Sequence, residues 1–212
     1  FRRKTDGRNS GGDHQPSGSD QSLSRRCGQD LKQGSGISLD VEQGQQIQSY
    51  NGTLPQLLAY QAARLGMSHT AIREKAYGIW QTYHWEDYLR YVRYTAMGLV
   101  ALGCSRGESV ALITNNHPEW LFSELGSQAV GGITLNLFTS AIADELSVSM
   151  NRIQAAYVFV QDQEQADKLI SARNKLGHVR RVIYIDPTGM GSYLSDPWLI
   201  SFRELMEIGE KL

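Results

Sequence analysis

Apolar runs alternate with amphipathic stretches along the second half of the chain, and this pattern constrains the fold more than any other feature. It predicts strands at residues 109–114, 133–137, 155–160 and 179–185 and helices at 119–130, 143–150 and 164–176. Runs such as Val110-Ala111-Leu112-Ile113 are continuously apolar, which is typical of parallel strands covered on both faces. Repeated strand–helix–strand units have right-handed crossovers, so the sequence predicts a doubly wound α/β fold.

The segment before these units carries its own start and stop signals. Thr53 is placed to cap a helix over residues 54–65, and short strands are predicted at 70–74 and 78–83. A long helix over 85–102 follows, and Gly103 is its expected stop. Its predicted buried face consists of Trp85, Leu89, Val92, Ala96 and Leu99. His84 precedes it where Ser or Thr would cap better, so a weaker helix start is expected.

The last part of the chain contains further turn and cap signals. Asp186, Pro187 and Gly189 suit positions i, i+1 and i+3 of a type I turn. A polar loop is expected to run from there to Trp198. Ser201 is followed three residues later by Glu204, a capping-box pattern that predicts a final helix over 202–212.

Residues 1–46 differ from the rest in composition, with eight Gly, seven Ser and one aromatic residue, Phe1. Such a segment cannot bury enough apolar surface to offset about 1–2 kcal/mol of backbone entropy per ordered residue, so we expect it to be disordered. The start at Phe instead of Met also predicts that the sequence is a fragment there. A basic cluster consists of Arg2, Arg3, Lys4 and Arg8. It suits a targeting arm, but we favour a solvated tail or upstream sequence wrongly joined to the gene.

The charge, the cysteine and histidine content and the lack of long apolar runs argue against several classes of protein. The formal charge of −1 does not indicate electrostatic binding to nucleic acid or to a membrane surface. Cys27 and Cys104 indicate neither a disulfide framework nor a metal site. The five histidines are not spaced along the sequence like metal ligands: His14, His69, His84, His117 and His178. No apolar run approaches the roughly 20 residues of a membrane span, and no signal peptide is visible, so a cytoplasmic location is expected.

Several sequence blocks resemble the beginning of the AMP-forming acyl-CoA synthetases, and in particular of the long-chain fatty acid–CoA ligases. Residues 107–120 read Gly-Glu-Ser-Val-Ala-Leu-Ile-Thr-Asn-Asn-His-Pro-Glu-Trp, similar to the family's G-D-x-V-A-I-x-x-x-N-x-P-E-W. Further blocks also resemble the family, in order and at the right spacings: residues 54–58, 71–75, 77–82, 128–133, 161–168, 186–189 and 197–202. The resemblance covers about 160 of the 212 residues. It implies that residues 47–212 are the N-terminal part of an adenylation domain, incomplete at the C-terminus.

One block departs from the family pattern Y-P-T-S-P-x-x-E-x-x-Y. Here the chain reads Phe-Thr-Ser-Ala-Ile-Ala-Asp-Glu-Leu-Ser-Val over residues 138–148. Phe138 and Glu145 fit, whereas both prolines and the second Tyr are missing. Thr139 is expected to cap the following helix. The departure leaves the subfamily and the preferred acid open.

The resemblance implies a two-step reaction in which a fatty acid carboxylate attacks ATP and CoA then displaces AMP from the acyl-adenylate. The family binds the triphosphate and Mg²⁺ with motifs that lie beyond the point where this chain ends. No catalytic, cofactor-binding or metal-binding residue is therefore assigned here, and the 212-residue chain alone is expected to be inactive. Fatty acid is the implied substrate, and peripheral membrane contact is left open.

Four features look like functional sites, and for each we favour a structural interpretation. His117-Pro118-Glu119-Trp120 suits a general acid, but Pro and Glu are typical of a helix's first turn. Asn115 and Asn116 follow a strand where α/β folds bind ligands, yet such residues are more often loop caps. Gly131-Gly132 precedes a strand instead of following one, unlike a phosphate loop. The remaining feature is an aromatic and basic set that suits single-stranded nucleic acid: Tyr83, Tyr88, Tyr91, Tyr94, Arg90 and Arg93.

Three alternatives stay open beside the long-chain ligase. One is an adenylating enzyme for an aryl or short-chain acid. Another is a complete nucleotide-binding or interaction module without catalysis, which should close its sheet and pack its last helix on it. The third is an inactive relic. A fragment of the ligase is expected instead to leave apolar surface bare and a strand edge unpaired.

Overall fold

The computed structural model of the chain describes residues 52–76 and 78–212. The predicted disorder of residues 1–46 and the domain boundary at residue 47 lie outside the described residues. The helices are α1 (Leu54–Leu65), α2 (Trp85–Ala101), α3 (Pro118–Ala129), α4 (Ala143–Arg152), α5 (Gln163–Ser171) and α6 (Phe202–Glu210). The strands are β1 (Thr70–Ala76), β2 (Ile79–His84), β3 (Ser109–Ile113), β4 (Ile133–Asn136), β5 (Tyr157–Val160), β6 (Arg181–Tyr184) and β7 (Leu199–Ser201).

Two sheets are formed by these strands. β1 and β2 make an antiparallel hairpin, and the other strands make a parallel sheet in the order β4-β3-β5-β6-β7. β3 lies between β4 and β5, so the chain winds first to one side of β3 and then to the other. This reversal is the mark of a doubly wound sheet, and it confirms the predicted fold class.

Helices cover both faces of the parallel sheet because successive side chains of each strand point to opposite faces. In β5, Val158 and Val160 pack with residues of α4 and α5, including Leu146 and Leu169. The intervening Phe159 packs on the other face with residues of α1, α2, α3 and α6. All four residues of β5 are fully buried, as the continuous apolar runs predicted.

Helix α2 buries a wider face than the heptad-like spacing predicted. Val92, Ala96 and Leu99 are buried as expected, whereas Trp85 and Leu89 are only half-buried. The additional buried positions are Tyr88, Thr95 and Gly98. The reason is that α2 packs against α3 on one side and α6 on the other, so two adjoining stripes are covered.

Capping signals near the two ends of the described region are confirmed. The Thr53 hydroxyl and the Gln56 side chain form a capping box at α1, and Ser201 and Glu204 form one at α6. At His84, the backbone N–H and Nδ1 both lie within hydrogen-bonding distance of the Asp87 carboxylate, at 3.0 and 3.2 Å. The start of α2 is therefore stabilised by Asp87 at the third helical position.

Near the C-terminus one strand was not predicted and one turn prediction is wrong. The loop expected up to Trp198 is followed by a short strand, β7, whose Leu199 pairs with Val182; three residues are too few to show a strand pattern. The type I turn at residues 186–189 is displaced by one residue, because the Pro187 carbonyl accepts from the Met190 N–H. Gly189 then occupies the third turn position with φ +79°, which favours glycine.

None of the helices in the described part of the chain is both long enough and apolar enough to span a membrane.

Candidate functional site

The carboxyl edge of the parallel sheet, between β3 and β5, is the candidate functional site. In open α/β sheets, ligands bind in the crevice outside the carboxyl ends of the strands where the winding reverses. Three segments meet at this crevice: the β3–α3 loop at residues 114–117, the β4–α4 loop at residues 137–142, and residues 161–162 after β5.

Asn115 ties the three segments together. Its backbone N–H donates to Oε1 of Gln161 at 3.3 Å, and its Oδ1 accepts from the Thr139 hydroxyl at 3.3 Å. The predicted helix cap by Thr139 is wrong, because α4 begins three residues later, after Ile142. The start of α4 is held instead by Glu145, whose carboxylate accepts from the Ile142 N–H. Asn115 therefore organises the loops, and neighbouring Asn116 is exposed.

A lysine closes the other side of the β4–α4 loop. Nζ of Lys168 donates to the Thr139 carbonyl at 2.7 Å and to Oε1 of Gln165 at 3.1 Å. It also pairs with Glu164 at 3.0 Å. Its charge is thus engaged by its own helix and by the loop backbone, which orders the loop. Sequence reasoning missed this role because nothing near Lys168 in sequence indicates Thr139 as a partner.

The beginning of α3 is attached to the β1–β2 hairpin. Nδ1 of His117 lies 2.6 Å from Oε1 of Glu74 in β1. Burial raises the pKa of Glu119, and the nearby Glu74 charge raises it further, against the lowering effects of a backbone hydrogen bond and His117. The pKa of Tyr83 is raised to about 12, mainly by burial and then by Glu119 and Glu74. The 117–120 motif therefore forms a packing contact between two elements.

Trp120 of the same motif begins a polar network that holds α3 to the edge strand β4. Its Nε1 donates to Oδ1 of Asn136 at 2.7 Å, and Nδ2 of Asn136 donates to Oε2 of Glu124 at 3.1 Å. The Thr134 hydroxyl donates to the other Glu124 oxygen at 2.7 Å. This network escaped sequence reasoning because its members are 2 to 16 residues apart and have no recognisable spacing.

The other sequence candidates lie away from the crevice. Gly131 has φ +80° and its carbonyl accepts from the Gly107 N–H, so the glycine pair forms a turn at the amino end of β4. In the aromatic set, Tyr83, Tyr88 and Tyr91 pack around Phe122, with Tyr91 stacked on it at a centroid distance of 4.8 Å. The Tyr94 hydroxyl donates to Oε1 of Glu210 at 3.2 Å. Those rings are engaged in the core and rim, so they do not form a platform for nucleic acid bases.

The residues at the crevice do not fit a triphosphate or Mg²⁺. Within the described ranges, no three His, Cys, Asp or Glu side chains converge to hold a metal ion. The segments after β3, β4 and β5 contain no glycine, whereas a phosphate loop needs glycines for close backbone approach. Polar side chains of Asn115, Thr139 and Gln161 can orient loops, but they supply no positive charge for phosphate.

Large apolar side chains border the crevice on one side. Phe138 is 84% exposed, and Ile142 in the same β4–α4 loop is 60% exposed. An isolated exposed apolar residue is ordinary, but two in one loop beside a ligand crevice offer an apolar surface.

The chain matches the family described as AMP-binding enzyme over residues 58–200. It is 29% identical over 144 residues to a Bos taurus long-chain-fatty-acid–CoA ligase, ACSBG1, covering 68% of this chain and 19% of that protein. It is 24% identical over 161 residues to a Xenopus laevis long-chain-fatty-acid–CoA ligase, ACSBG2, and this match covers 76% of this chain and 21% of that protein. The chain thus spans about a fifth of these two relatives.

Its fold is shared with solved structures of similar enzymes. The acetoacetyl-CoA synthetase of Streptomyces lividans superposes with a TM-score of 0.63 at 20% identity, covering 72% of this chain and 24% of that one. At this identity the likeness is one of fold.

Proposed function

The chain belongs to the AMP-binding enzyme family, and on this premise we propose that it is the N-terminal part of an ATP-dependent long-chain fatty acid–CoA ligase. Residues 47–212 would form the first part of its adenylation domain. The observation that carries the proposal is the family match over residues 58–200, joined to the long-chain ligases among the relatives. The proposed overall activity is adenylation of a fatty acid carboxylate, followed by thioester formation with CoA.

The role proposed for this segment is to supply one wall of the acid site. Asn115, Thr139 and Gln161 hold the loops of the carboxyl edge, and Phe138 and Ile142 offer apolar surface there. A long acyl chain gains about 0.8 kcal/mol per methylene removed from water. An apolar wall is therefore suited to such an acid.

The reaction itself requires groups that the described residues do not supply. ATP and CoA are the proposed co-substrates, and Mg²⁺ is the proposed metal ion. Stabilising a leaving pyrophosphate takes preorganised positive charge. In the described part of the crevice, the charge of Lys168 is already engaged by Thr139, Gln165 and Glu164. We therefore propose that residues 1–212 alone are inactive.

A second candidate is a ligase for an aryl or short-chain acid. It is favoured by the missing prolines and Tyr in residues 138–148. The two candidates differ in the acid and not in the reaction type. An acid panel from acetate and benzoate to oleate separates them.

The test is to express both residues 1–212 and the complete reading frame of the gene and to measure pyrophosphate release with ATP, Mg²⁺ and each acid. The short chain is expected to match a blank without protein. The complete product is expected to release pyrophosphate and, with CoA, to form a thioester of a long-chain acid. Turnover by the short chain would contradict the proposal and place a catalytic site within residues 1–212. A frame that stops near codon 212, with no activity, would favour the non-catalytic module.

A further inference from the structure

The two faces of the β1–β2 hairpin have opposite chemistry. Residues directly across an antiparallel pair point to the same side of the sheet. Ile72 pairs with Tyr83, and both pack against the core that includes Phe122. Glu74, on this same inner face, contacts His117. This face therefore attaches the hairpin to the rest of the fold.

The outer face carries two cations and one large aromatic ring. It consists of two cross-strand pairs, Arg73 with Thr82 and Lys75 with Trp80, and all four residues are exposed. The Arg73 guanidinium lies 4.8 Å from the centroid of the Trp80 ring. Trp80 is 59% exposed.

No acidic side chain balances these cations on their own face. The only acidic residue of β1 and β2 is Glu74, which faces inward and contacts His117. The outer face therefore has a charge of about +2 in a chain whose formal charge is −1. The net charge of the whole chain does not indicate binding to a membrane surface, whereas the local positive charge of this face does.

We propose that the outer face of the hairpin, defined by Arg73, Lys75, Trp80 and Thr82, docks on an anionic lipid surface. An indole ring is favoured at the boundary between headgroups and hydrocarbon, where its apolar body is buried and its N–H stays wet. Arg and Lys can bury their stems while their charges reach lipid phosphates.

Two other possible partners match the positive charge of the outer face less well than an anionic bilayer does. A second copy related by a two-fold axis would bring Arg73 and Lys75 against their own counterparts, and like charges repel. A nucleic acid would meet one aromatic ring and two cations, too few for a stacking platform with a charged groove. An anionic bilayer supplies negative charge together with an apolar layer, which matches both parts of the face.

This inference goes beyond the proposed function and does not depend on it, because vesicle binding needs no substrate. The experiment is co-sedimentation of residues 1–212 with vesicles of phosphatidylcholine alone or with 30% phosphatidylserine, at low salt and at 0.5 M NaCl. Binding is expected to the anionic vesicles at low salt and to weaken at high salt. Each basic residue near such a surface is worth about 1 kcal/mol, or roughly fivefold in partitioning.

The double variant Arg73→Gln/Lys75→Gln is therefore expected to weaken binding to anionic vesicles by at least tenfold. Trp80→Ala is expected to weaken this binding as well, although it leaves the charge of the face unchanged. The matched control is Arg152→Gln/Lys211→Gln, which removes the same charge from exposed positions outside the hairpin and should bind like the parent. Thermal melting confirms that each variant is folded. Equal binding by both double variants, or no vesicle binding by the folded parent, overturns the proposal. So does hairpin-dependent binding to an oligonucleotide, or hairpin-dependent dimerisation, in place of vesicle binding.

Discussion

His117 and Glu74 join the hairpin to the parallel sheet through a contact of 2.6 Å between Nδ1 and Oε1. His117 immediately precedes α3 at the carboxyl end of β3, and Glu74 lies in the middle of β1. The contact therefore fixes the hairpin beside the candidate crevice. It places the outer face of the hairpin on the side away from the core, where Trp80 is exposed.

Glu74→Gln is expected to weaken this attachment. The contact is partly buried, with 22% of the Glu74 side chain and 41% of the His117 side chain exposed, so the loss should be about 1 kcal/mol of unfolding free energy. Urea denaturation at neutral pH measures it. Glu86→Gln is the control, because Glu86 is exposed in the first turn of α2 and should change stability by less than about 0.5 kcal/mol. Equal losses in the two variants would show that the His117 contact is unimportant.

Gly98→Ala should destabilise the packing of α2 on α6. In a free helix this change would stabilise by about 0.5–1 kcal/mol. Here a Cβ at Gly98 would overlap the backbone carbonyl oxygen of Leu205 and lie 2.8 Å from its Cδ1. Backbone cannot move aside as a flexible side chain can, so we expect a net loss of about 1–3 kcal/mol. Thermal and urea unfolding measure this change.

Gly177→Ala is the matched control for that substitution. A Cβ at Gly177 meets no atom within 4 Å, and the residue has no positive φ. The stability of the Gly177→Ala variant should equal or slightly exceed that of the parent, because alanine lowers the conformational entropy of the unfolded chain. A Gly98→Ala variant as stable as this control would mean that α6 is not held against α2 as described.

The sequence predicted the parallel layers because strands buried on both faces have to be apolar throughout, as in Tyr157-Val158-Phe159-Val160. It did not predict β7 or the true face of α2. Strand β7 depends on pairing with Val182, and the burial of Gly98 depends on Leu205, more than 100 residues away. Contacts of that range leave no periodic pattern in the local sequence.

Much less of the candidate site could be predicted. Asn115 was noted from its place after a strand, but its partners Thr139 and Gln161 come from two other loops. The expectation that Thr139 caps a helix failed because its hydroxyl is used by Asn115 instead. Side chains that bridge loops are positioned by the strand order, which the sequence of any one loop does not contain.

The capping box of α6 should make part of the stability depend on pH. Hydrogen bonds from the Ser201 hydroxyl and backbone N–H lower the pKa of Glu204 below its ordinary value. A lowered pKa means that this stabilisation is present above the ordinary carboxylate pKa and is lost as pH falls through the folded-state pKa. Glu204→Gln should therefore be less stable than the parent at pH 7, and the difference should shrink below about pH 4.5.

Urea unfolding of the parent and the variant from pH 7 to pH 3.5 measures this difference. Glu207→Gln is a control on the same helix, since Glu207 pairs only with exposed Arg203 at 2.9 Å among the described residues. A difference that stays constant with pH for Glu204→Gln would contradict the proposed linkage.

Cys104 should react slowly with alkylating reagents in the folded chain. Burial, followed by the charge of Glu108, raises the pKa of its thiol to about 11 from an ordinary value of 9.0. Only the thiolate reacts, so at pH 8 two pKa units reduce its reactive fraction about a hundredfold. Mass spectrometry of iodoacetamide labelling at Cys104 should show slow modification in buffer and fast modification in urea. Fast labelling of the folded chain would place the thiol at the surface.

Phe138 provides a test of the proposed apolar wall in the product of the complete reading frame. Its ring is largely exposed in the described structure, so Phe138→Ala should change the stability of residues 1–212 by less than about 0.5 kcal/mol. If the ring contacts the acyl chain, its loss should remove the benefit of roughly two methylenes, about 1.6 kcal/mol. The ratio of kcat/KM for oleate to that for decanoate should then fall by about tenfold.

Val100→Ala is the control for this prediction, because Val100 is also an exposed apolar residue but lies in the last turn of α2, near the amino end of β3. It should leave the oleate to decanoate ratio unchanged. If both variants retain the parent ratio, Phe138 does not contact the acyl chain, and the apolar side of the crevice is covered by another part of the protein. If Phe138→Ala instead lowers kcat/KM equally for both acids, the residue positions the carboxyl end of the substrate, which both acids share.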